Sequence, residues 1–254
     1  MDTAFRIHLL TLALLSAIAS SIPPAEAGVR TMSSAVETEQ LSTNSPDWQL
    51  IQLNWAYERN RWKAGLGYTQ QERFGLDDQE WSVEGKLHLS EGWTLVGRQT
   101  GSSTAEVLPH WSSGVEIYRN LASWVVIASA RYAEYRVDST QLWRLGAERY
   151  WGPWVPGYTL GYGVLEGAAA GYSHQLKLDY FLTDTRWFGI GLVDGDEATR
   201  IGANRAVLAK VQGAYAKANW GLNTNWGVSL VISYFQQGDF YDRTGIRFGL
   251  DYRY

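Results

Sequence analysis

The stretch Trp226-Gly-Val-Ser-Leu-Val-Ile-Ser-Tyr234 alternates large apolar residues with small or polar ones. Successive side chains of a β-strand point to opposite faces, so this pattern predicts a strand with one apolar face. Residues 154–164 and 81–89 alternate in the same way. No segment has the spacing of an amphipathic helix, which favours an all-β fold.

Tryptophans recur along the chain with the period of a two-stranded unit. One series follows short polar turns, at intervals of 31, 31, 30, 33 and 39 residues: Trp62, Trp93, Trp124, Trp154, Trp187 and Trp226. A second series opens the intervening segments: Trp48, Trp81, Trp111 and Trp143, with Tyr172 next. About ten tilted residues between the two series cover roughly 25 Å, the height of the apolar band of an outer-membrane barrel. Both series are therefore predicted to lie at the membrane interfaces.

The repeat predicts a transmembrane antiparallel up-and-down β-barrel of about fourteen strands, with twelve as the alternative. The predicted strands are 29–40, 48–58, 61–72, 80–90, 93–101, 110–119, 123–135, 140–150, 154–166, 171–182, 186–193, 205–217, 226–236 and 244–254. An even count places both termini at the short-turn end, which is periplasmic in such barrels. The outer loops are modest in length, so no long inward-folded plug is expected.

The N-terminus has the features of a cleavable secretory signal. Arg6 precedes an apolar run from Leu9 to Ala19, and Ala25-Glu-Ala27 provides an A-x-A cleavage site. The run is too short to span a bilayer as a helix. We predict a signal peptide over residues 1–27, a single barrel domain over 28–254, and export to the outer membrane of a Gram-negative cell.

The composition excludes several classes of site. The chain has no cysteine, which rules out thiolate metal sites and disulfides, and its net charge of −4 offers no basic patch for nucleic acid. His88, His110 and His174 lack metal-ligand spacing, and no cofactor or metal is expected. Asp194-Gly-Asp-Glu197 lies in a predicted outer loop without the full ligand pattern of a Ca²⁺ loop.

Charged residues of both signs fall on the face opposite the apolar one. A charge facing lipid at mid-membrane costs roughly 2–4 kcal/mol, so these residues are predicted to line the lumen. They are Lys63, Glu84, Lys86, Arg98, Glu116, Arg131, Arg144, Glu148, Lys177, Asp179, Lys210, Arg247, Asp251 and Arg253. They either pair across strands and brace the wall, as Glu148 and Lys177 could, or line a water-filled conduit. A soluble secreted β-protein is the alternative fold, since an inward apolar face gives the same period.

The last strand ends on alternating aromatic residues. Phe248, Tyr252 and Tyr254 alternate up to the C-terminus, which is similar to the signal that the barrel-assembly machinery recognises. The usual terminal residue is Phe. This machinery is therefore an expected partner, together with outer-membrane lipid and lipopolysaccharide.

The mature chain resembles the YaiO family of outer-membrane proteins. The resemblance rests on Ser129-Ala-Arg-Tyr-Ala-Glu-Tyr-Arg136, Trp151-Gly-Pro-Trp154 and Gly249-Leu-Asp-Tyr-Arg-Tyr254. It implies an outer-membrane β-barrel that is similar to the barrel parts of exopolysaccharide secretion porins. Those porins usually carry periplasmic helical repeats, so a role in export would need a separate periplasmic partner.

One residue pair offers a hydrolase as the alternative to a passive channel or surface scaffold. His110 and Ser112 are two residues apart on a predicted strand, as in outer-membrane lipid hydrolases, so the imidazole could activate the hydroxyl. However, the pair would point inward, and Glu116 lies too far away to orient the histidine. Ser173 and His174 are adjacent and face opposite sides. We therefore expect no enzyme, and favour passive passage of small solutes or glycans.

Overall fold

A single antiparallel sheet closes on itself into a barrel of fourteen strands. The computed structural model describes residues 28–43, 45–167, 170–200 and 206–254, so the predicted signal peptide lies outside the described residues. The strands are β1 Val29–Leu41, β2 Trp48–Arg59, β3 Trp62–Arg73, β4 Leu76–Ser90, β5 Trp93–Ser102, β6 Trp111–Leu121, β7 Trp124–Glu134, β8 Ser139–Arg149, β9 Trp154–Leu165, β10 Ala170–Thr183, β11 Arg186–Arg200, β12 Ala206–Gly221, β13 Trp226–Gln237 and β14 Tyr241–Arg253. Every strand pairs with its neighbours in sequence, and β1 pairs with β14.

The fourteen-strand prediction is confirmed, including the weakly patterned first strand. β1 pairs with both β2 and β14, from Thr31 opposite Arg253 to Leu41 opposite Arg243. Two ion pairs cross this seam, from Arg243 to Glu39 at 3.0 Å and from Arg247 to Glu37 at 2.9 Å. The sheet therefore has no free edge, which removes the usual route to edge-to-edge aggregation.

The two ends of the barrel differ in their connections. At the end that holds both termini, four turns have only two residues: 60–61, 91–92, 122–123 and 184–185. Asn60, Gly92 and Ala122 adopt positive φ there, as tight hairpin turns require. The opposite end carries the longer connections, among them 42–47 and 103–110. Short turns mark the periplasmic end in bacterial barrels.

Two boundaries differ from the predictions at the extracellular end. Residues 73–79 were predicted as a loop, but Phe74 and Gly75 form a two-residue turn with φ of 57° and 74°, and β4 begins at Leu76. Residues 194–197 were also predicted as a loop, but they belong to β11, which pairs with β12 up to Arg200. In both segments strand pairing continues past the membrane into water, although their Gly and Asp residues are of types that favour turns.

The outward face of the strands is apolar and exposed. Leu66, Val83, Ile190 and Leu192 each expose between 55% and 59% of their surface on the isolated chain. A continuous belt of such residues around the whole barrel is far larger than the apolar patches of soluble monomers. The soluble alternative is therefore wrong. No helix among the described residues is long and apolar enough to cross a membrane.

Candidate functional site: the charged lumen and its extracellular mouth

The inward face of the strands carries the charged residues. In β4, for example, even-numbered residues face inward and odd-numbered residues face outward, as their alternating burial shows. The same analysis places most of the predicted lumen residues inside: Lys63, Glu84, Lys86, Arg98, Glu116, Arg131, Arg144, Glu148, Lys177, Asp179, Arg247, Asp251 and Arg253.

Lys210 is the exception, and its predicted position was wrong. It lies opposite Asp196 on β11, and both face outward above the apolar belt. The outward face of β12 runs through Ala214, Ala216 and Trp220 at even numbers, so Lys210 shares that face. Since the strand extends beyond the lipid, its outward end can carry charge at little cost.

One ion cluster braces the part of the lumen nearer the periplasmic end, on β8, β10 and β12. The Lys177 Nζ lies 2.5 Å from a Glu148 carboxylate oxygen and 3.4 Å from Asp179. The Lys217 Nζ lies 3.0 Å from Asp179 and sits 4.8 Å above the ring centre of Trp187. Asp179 is 5% exposed, so its charge depends on these two lysines. This arrangement spans the five adjacent strands from β8 to β12 and matches the bracing interpretation of the charges.

A second group of charges surrounds an open cavity instead of pairing fully. A cavity of about 350 Å³ is bounded on β4 to β8 by three arginines, Arg98, Arg131 and Arg144, and by Glu80, Glu84 and Glu116. Within the part of the chain that the structure describes, Arg98 is the one of these arginines that lies within ion-pair distance of a carboxylate, at 3.8 Å from Glu84. The Arg131 guanidinium donates to the Ser112 hydroxyl at 3.2 Å. The wall therefore presents charged groups of both signs to the space inside the barrel.

Wider space continues toward the periplasmic end. A cavity of about 590 Å³ lies among Lys63, Trp187, Asn219, Asp251 and Arg253, together with the turn 222–225. A further cavity of about 430 Å³ lies between Lys63, Glu84, Arg98 and Asp251. Shared lining residues join these cavities to one another and to the arginine-lined one, which gives a polar path along one side of the lumen.

The β5–β6 loop (103–110) folds inward and narrows the extracellular mouth, although it is not a long plug of the kind that the sequence analysis considered. The buried Asp78 carboxylate, on the inner face of β4, accepts the backbone N–H groups of Glu106, Val107 and Leu108 at 2.9, 2.6 and 2.7 Å. Since Asp78 faces inward, the loop that it holds must lie inside the mouth.

Further contacts hold the same loop at its other side. Ala105 is 4% exposed with φ of 51°, and its N–H donates to the Ser102 hydroxyl at 3.0 Å. Glu106 makes an ion pair of 2.7 Å with Arg136, in the connection between β7 and β8. The loop therefore extends over the mouth from β4 to β7. Sequence reasoning missed Asp78, which lay in a predicted loop.

An aromatic cluster occupies a neighbouring part of the mouth, at the ends of β2 and β14 and the turn between β3 and β4. The ring of Trp48 packs edge-on against Phe74 and Tyr241, with centroid distances of 5.1 and 5.7 Å. The guanidinium groups of Arg73 and Arg243 lie 4.5 and 5.6 Å from the Trp48 ring centre. This cluster explains the left-handed backbone of Phe74, because packing in the mouth compensates for the strain.

Most of the predicted interface aromatics face lipid, in two bands. These are Trp62, Trp81, Trp93, Trp111, Trp124, Trp143, Trp154 and Trp226. Trp48 and Trp187 do not, and for them the prediction was wrong. Trp187 is the second residue of its strand, whereas Trp62, Trp93 and their counterparts are the first, and one residue reverses the face. Trp48 shares its face with Gln52 and Asn54, while Ile51 and Leu53 face outward.

The C-terminal aromatics lie on the outward face near the periplasmic rim. Tyr252 stacks on Tyr254 at 5.4 Å between ring centres and lies 4.5 Å from Trp226. Phe248 lies opposite Leu230 and is 49% exposed. Phe248, Tyr252 and Tyr254, the predicted assembly signal, therefore form one outward row along the last strand.

The hydrolase pair is not assembled. The buried Ser112 hydroxyl lies 2.9 Å from the Thr100 hydroxyl and accepts from Arg131, whereas His110 is exposed at the end of the β5–β6 loop. A nucleophile held this way has no general base beside it. Among residues 28–254, apart from the gaps already given, no group of three His, Asp or Glu side chains could hold a metal ion.

The chain matches one known protein family. The sequence profile described as the YaiO membrane beta barrel domain matches residues 30–199, which is more than half of the chain. The comparison with curated proteins gave no match.

The solved structures that are similar to this chain include outer-membrane channels. An outer-membrane channel from Pseudomonas putida F1 is 11% identical with a TM-score of 0.55, covering 91% of this chain and 96% of that one. The Pseudomonas putida toluene transporter TodX is 8% identical with a TM-score of 0.56, covering 91% and 90%. The monoaromatic hydrocarbon channel CymD is 8% identical with a TM-score of 0.58, covering 91% and 88%. At such identities the likeness is one of fold.

Proposed function

This chain belongs to the YaiO membrane β-barrel family, and from that premise we propose that it is a passive outer-membrane channel for small polar or charged solutes. The carrying observation is the inner wall, where Arg98, Arg131 and Arg144 and the neighbouring glutamates border open space. A barrel that only needed bracing would pair such charges, as the Lys177 cluster does. Charged groups that face water inside the membrane are typical of solute pathways.

The geometry favours narrow passage. The β5–β6 loop and the Trp48 cluster together narrow the extracellular mouth, while the periplasmic end is wider. Solutes would therefore be selected at the mouth and along the arginine-lined cavity. Apolar solutes would gain little from such a wall, because charged groups lose hydration when an apolar molecule displaces their water.

The proposal also covers export, assembly and the lack of catalysis. The chain would be exported behind residues 1–27, and N-terminal sequencing of the mature protein should then begin at Gly28. The outward row of Phe248, Tyr252 and Tyr254 would be presented to the barrel-assembly machinery. The protein would act without catalysis, because Ser112 lacks a base. The purified barrel should then release no fatty acid from phospholipid vesicles.

Planar-bilayer recording of the refolded protein tests conduction. Discrete current steps are expected, and Arg144→Glu should shift the reversal potential in a KCl gradient toward cation selectivity. Lys210→Glu is the matched control, since it makes the same charge change on the outward face and should leave the reversal potential unchanged. A membrane that carries no steps with folded protein would contradict the channel and indicate a structural scaffold instead.

A further inference from the structure

We propose that the outward periplasmic rim of the barrel binds the headgroups of anionic phospholipids in the inner leaflet of the outer membrane. Four arginines carry the inference: Arg30, Arg119, Arg149 and Arg186. We call them, with the aromatic rings that they contact, the arginine belt. The proposal concerns the outer surface, so it does not depend on what passes through the lumen.

Each arginine of the belt stacks on an aromatic ring of the neighbouring strand. The guanidinium carbon of Arg119 lies 5.0 Å from the ring centre of Trp93, and that of Arg149 lies 5.5 Å from Trp124. The corresponding distances are 5.1 Å from Arg186 to Trp220 and 5.8 Å from Arg30 to Tyr254.

The arginine–aromatic pairing recurs at equivalent positions of the strand register. Arg119, Arg149 and Arg186 each stand directly opposite their ring in the strand register. Arg30 exchanges backbone hydrogen bonds with Tyr254, the same relation. All four pairs lie at the short-turn end. Arg59 also stands opposite Trp62 there.

Stacking holds each guanidinium at the depth where headgroups lie. Tryptophan and tyrosine rings prefer the interface between hydrocarbon and water, so a cation over their face sits at the phosphate level. Arg119 and Arg186 are fixed further by single bonds to the backbone carbonyls of Glu91 and Gly221, at 3.3 and 3.2 Å. A guanidinium has five N–H donors, so after one such bond Arg119 and Arg186 keep donors for phosphate oxygens, which a guanidinium binds in a bidentate way.

The charge of the opposite rim restricts the proposal to the periplasmic leaflet. Outward-facing carboxylates gather at the extracellular ends of the strands and outweigh the outward Lys210 there: Glu72, Asp77, Glu134, Asp194, Asp196 and Asp242. At the periplasmic end the exposed carboxylates near the belt are Glu91 and Asp184, which lie in turns beyond the strands, and Glu58, which faces the lumen. Anionic headgroups are therefore attracted at one rim and repelled at the other.

Lipid binding is measured by native mass spectrometry of the full-length mature barrel in micelles that hold equal amounts of phosphatidylglycerol and phosphatidylcholine. Each arginine near a headgroup is expected to favour the anionic lipid roughly fivefold. Combined substitution of Arg119, Arg149 and Arg186 by Gln should lower the preference roughly a hundredfold at low salt. The preference of the unchanged protein should fall as salt rises.

Three further variants make the result specific. Substitution of the same arginines by Lys keeps the charge and should keep most of the preference. Substitution of the inward Arg98, Arg131 and Arg144 by Gln removes equal charge inside the barrel and should leave the preference unchanged. Arg149→Gln alone, for use if the triple variant does not fold, should lower it roughly fivefold. Heat-modifiable electrophoretic migration confirms folding. The proposal is overturned if the protein without substitutions shows no preference for phosphatidylglycerol, or if the folded triple Gln variant retains that preference.

Discussion

Replacing Asp78 by alanine should release the β5–β6 loop from the extracellular mouth. The carboxylate is 1% exposed and accepts three consecutive backbone N–H groups between 2.6 and 2.9 Å. Alanine removes both oxygens, and it leaves the strand pairing of β4 intact because the side chain takes no part in the ladder. The substitution therefore acts on the loop and not on the barrel.

The size of the effect follows from the three bonds. A hydrogen bond to a charged group contributes about 1.5–3 kcal/mol. At the lower end of that range the three bonds together stabilise the docked loop by about 4.5 kcal/mol, which is roughly a two-thousandfold change in the equilibrium between docked and released loop. Asp78→Asn keeps one acceptor oxygen, so its effect should be about half as large in free energy.

Hydrogen exchange of the peptide that covers 103–110 measures this equilibrium. Exchange of the Glu106, Val107 and Leu108 amides should accelerate in the alanine variant, less in the asparagine variant. Single-channel conductance of the alanine variant should rise, because the mouth widens. Asp77→Ala is the control: it removes a neighbouring carboxylate that faces outward. Unchanged hydrogen exchange in Asp78→Ala would refute the idea that the Asp78 carboxylate stabilises the docked loop.

Three further predictions concern the wall and the seam. Leu230→Arg should lower the free energy of unfolding in lipid vesicles by roughly 2–4 kcal/mol, whereas Ser229→Arg on the inward face should cost less; equal losses in denaturant titrations would contradict the assignment of faces. Lys177→Met leaves Glu148 and Asp179 without their shared cation and should destabilise the barrel by about 2 kcal/mol. Lys86→Met is the control, because it breaks no ion pair seen among the described residues, and it should cost under about 0.5 kcal/mol in the same titration. Tyr254→Ala should reduce the folded fraction that reaches the outer membrane in cells without slowing refolding in detergent, and equal membrane levels would argue against a terminal assembly signal.

The architecture could be predicted because lipid imposes a strict period on the strands. A residue such as Leu230 must face hydrocarbon and its neighbour Ser229 must not, so two-residue alternation is maintained along each span. The hairpin period of the tryptophans adds the strand count. Both signals are local, and neither needs knowledge of contacts between distant residues.

The errors occurred where that local constraint weakens. Lys210 lies beyond the lipid, where either face tolerates charge, and so its position could not be derived from cost. Trp187 follows the tryptophan spacing but begins one residue into its strand, and a shift of one residue reverses the face. The interval between tryptophans predicts the face of a ring less well than the two-residue alternation of the strand in which the ring lies.

The mouth could not be predicted because its contacts join distant segments. Asp78 meets residues of another hairpin about thirty positions later, and Trp48 meets Tyr241 from the far end of the chain. A single sequence gives no information on such pairs. A short turn with positive φ at Phe74 was equally hidden, because phenylalanine rarely adopts that backbone conformation.

The seam between β1 and β14 joins the first and last segments that the ribosome makes, and Glu39 and Arg243 are separated by 204 positions. Until Tyr241 to Arg253 has arrived, the growing sheet has two unpaired margins that can capture a strand from another copy. Closure of the wall therefore needs the last strand, and a product that ends before β14 would be left with open margins.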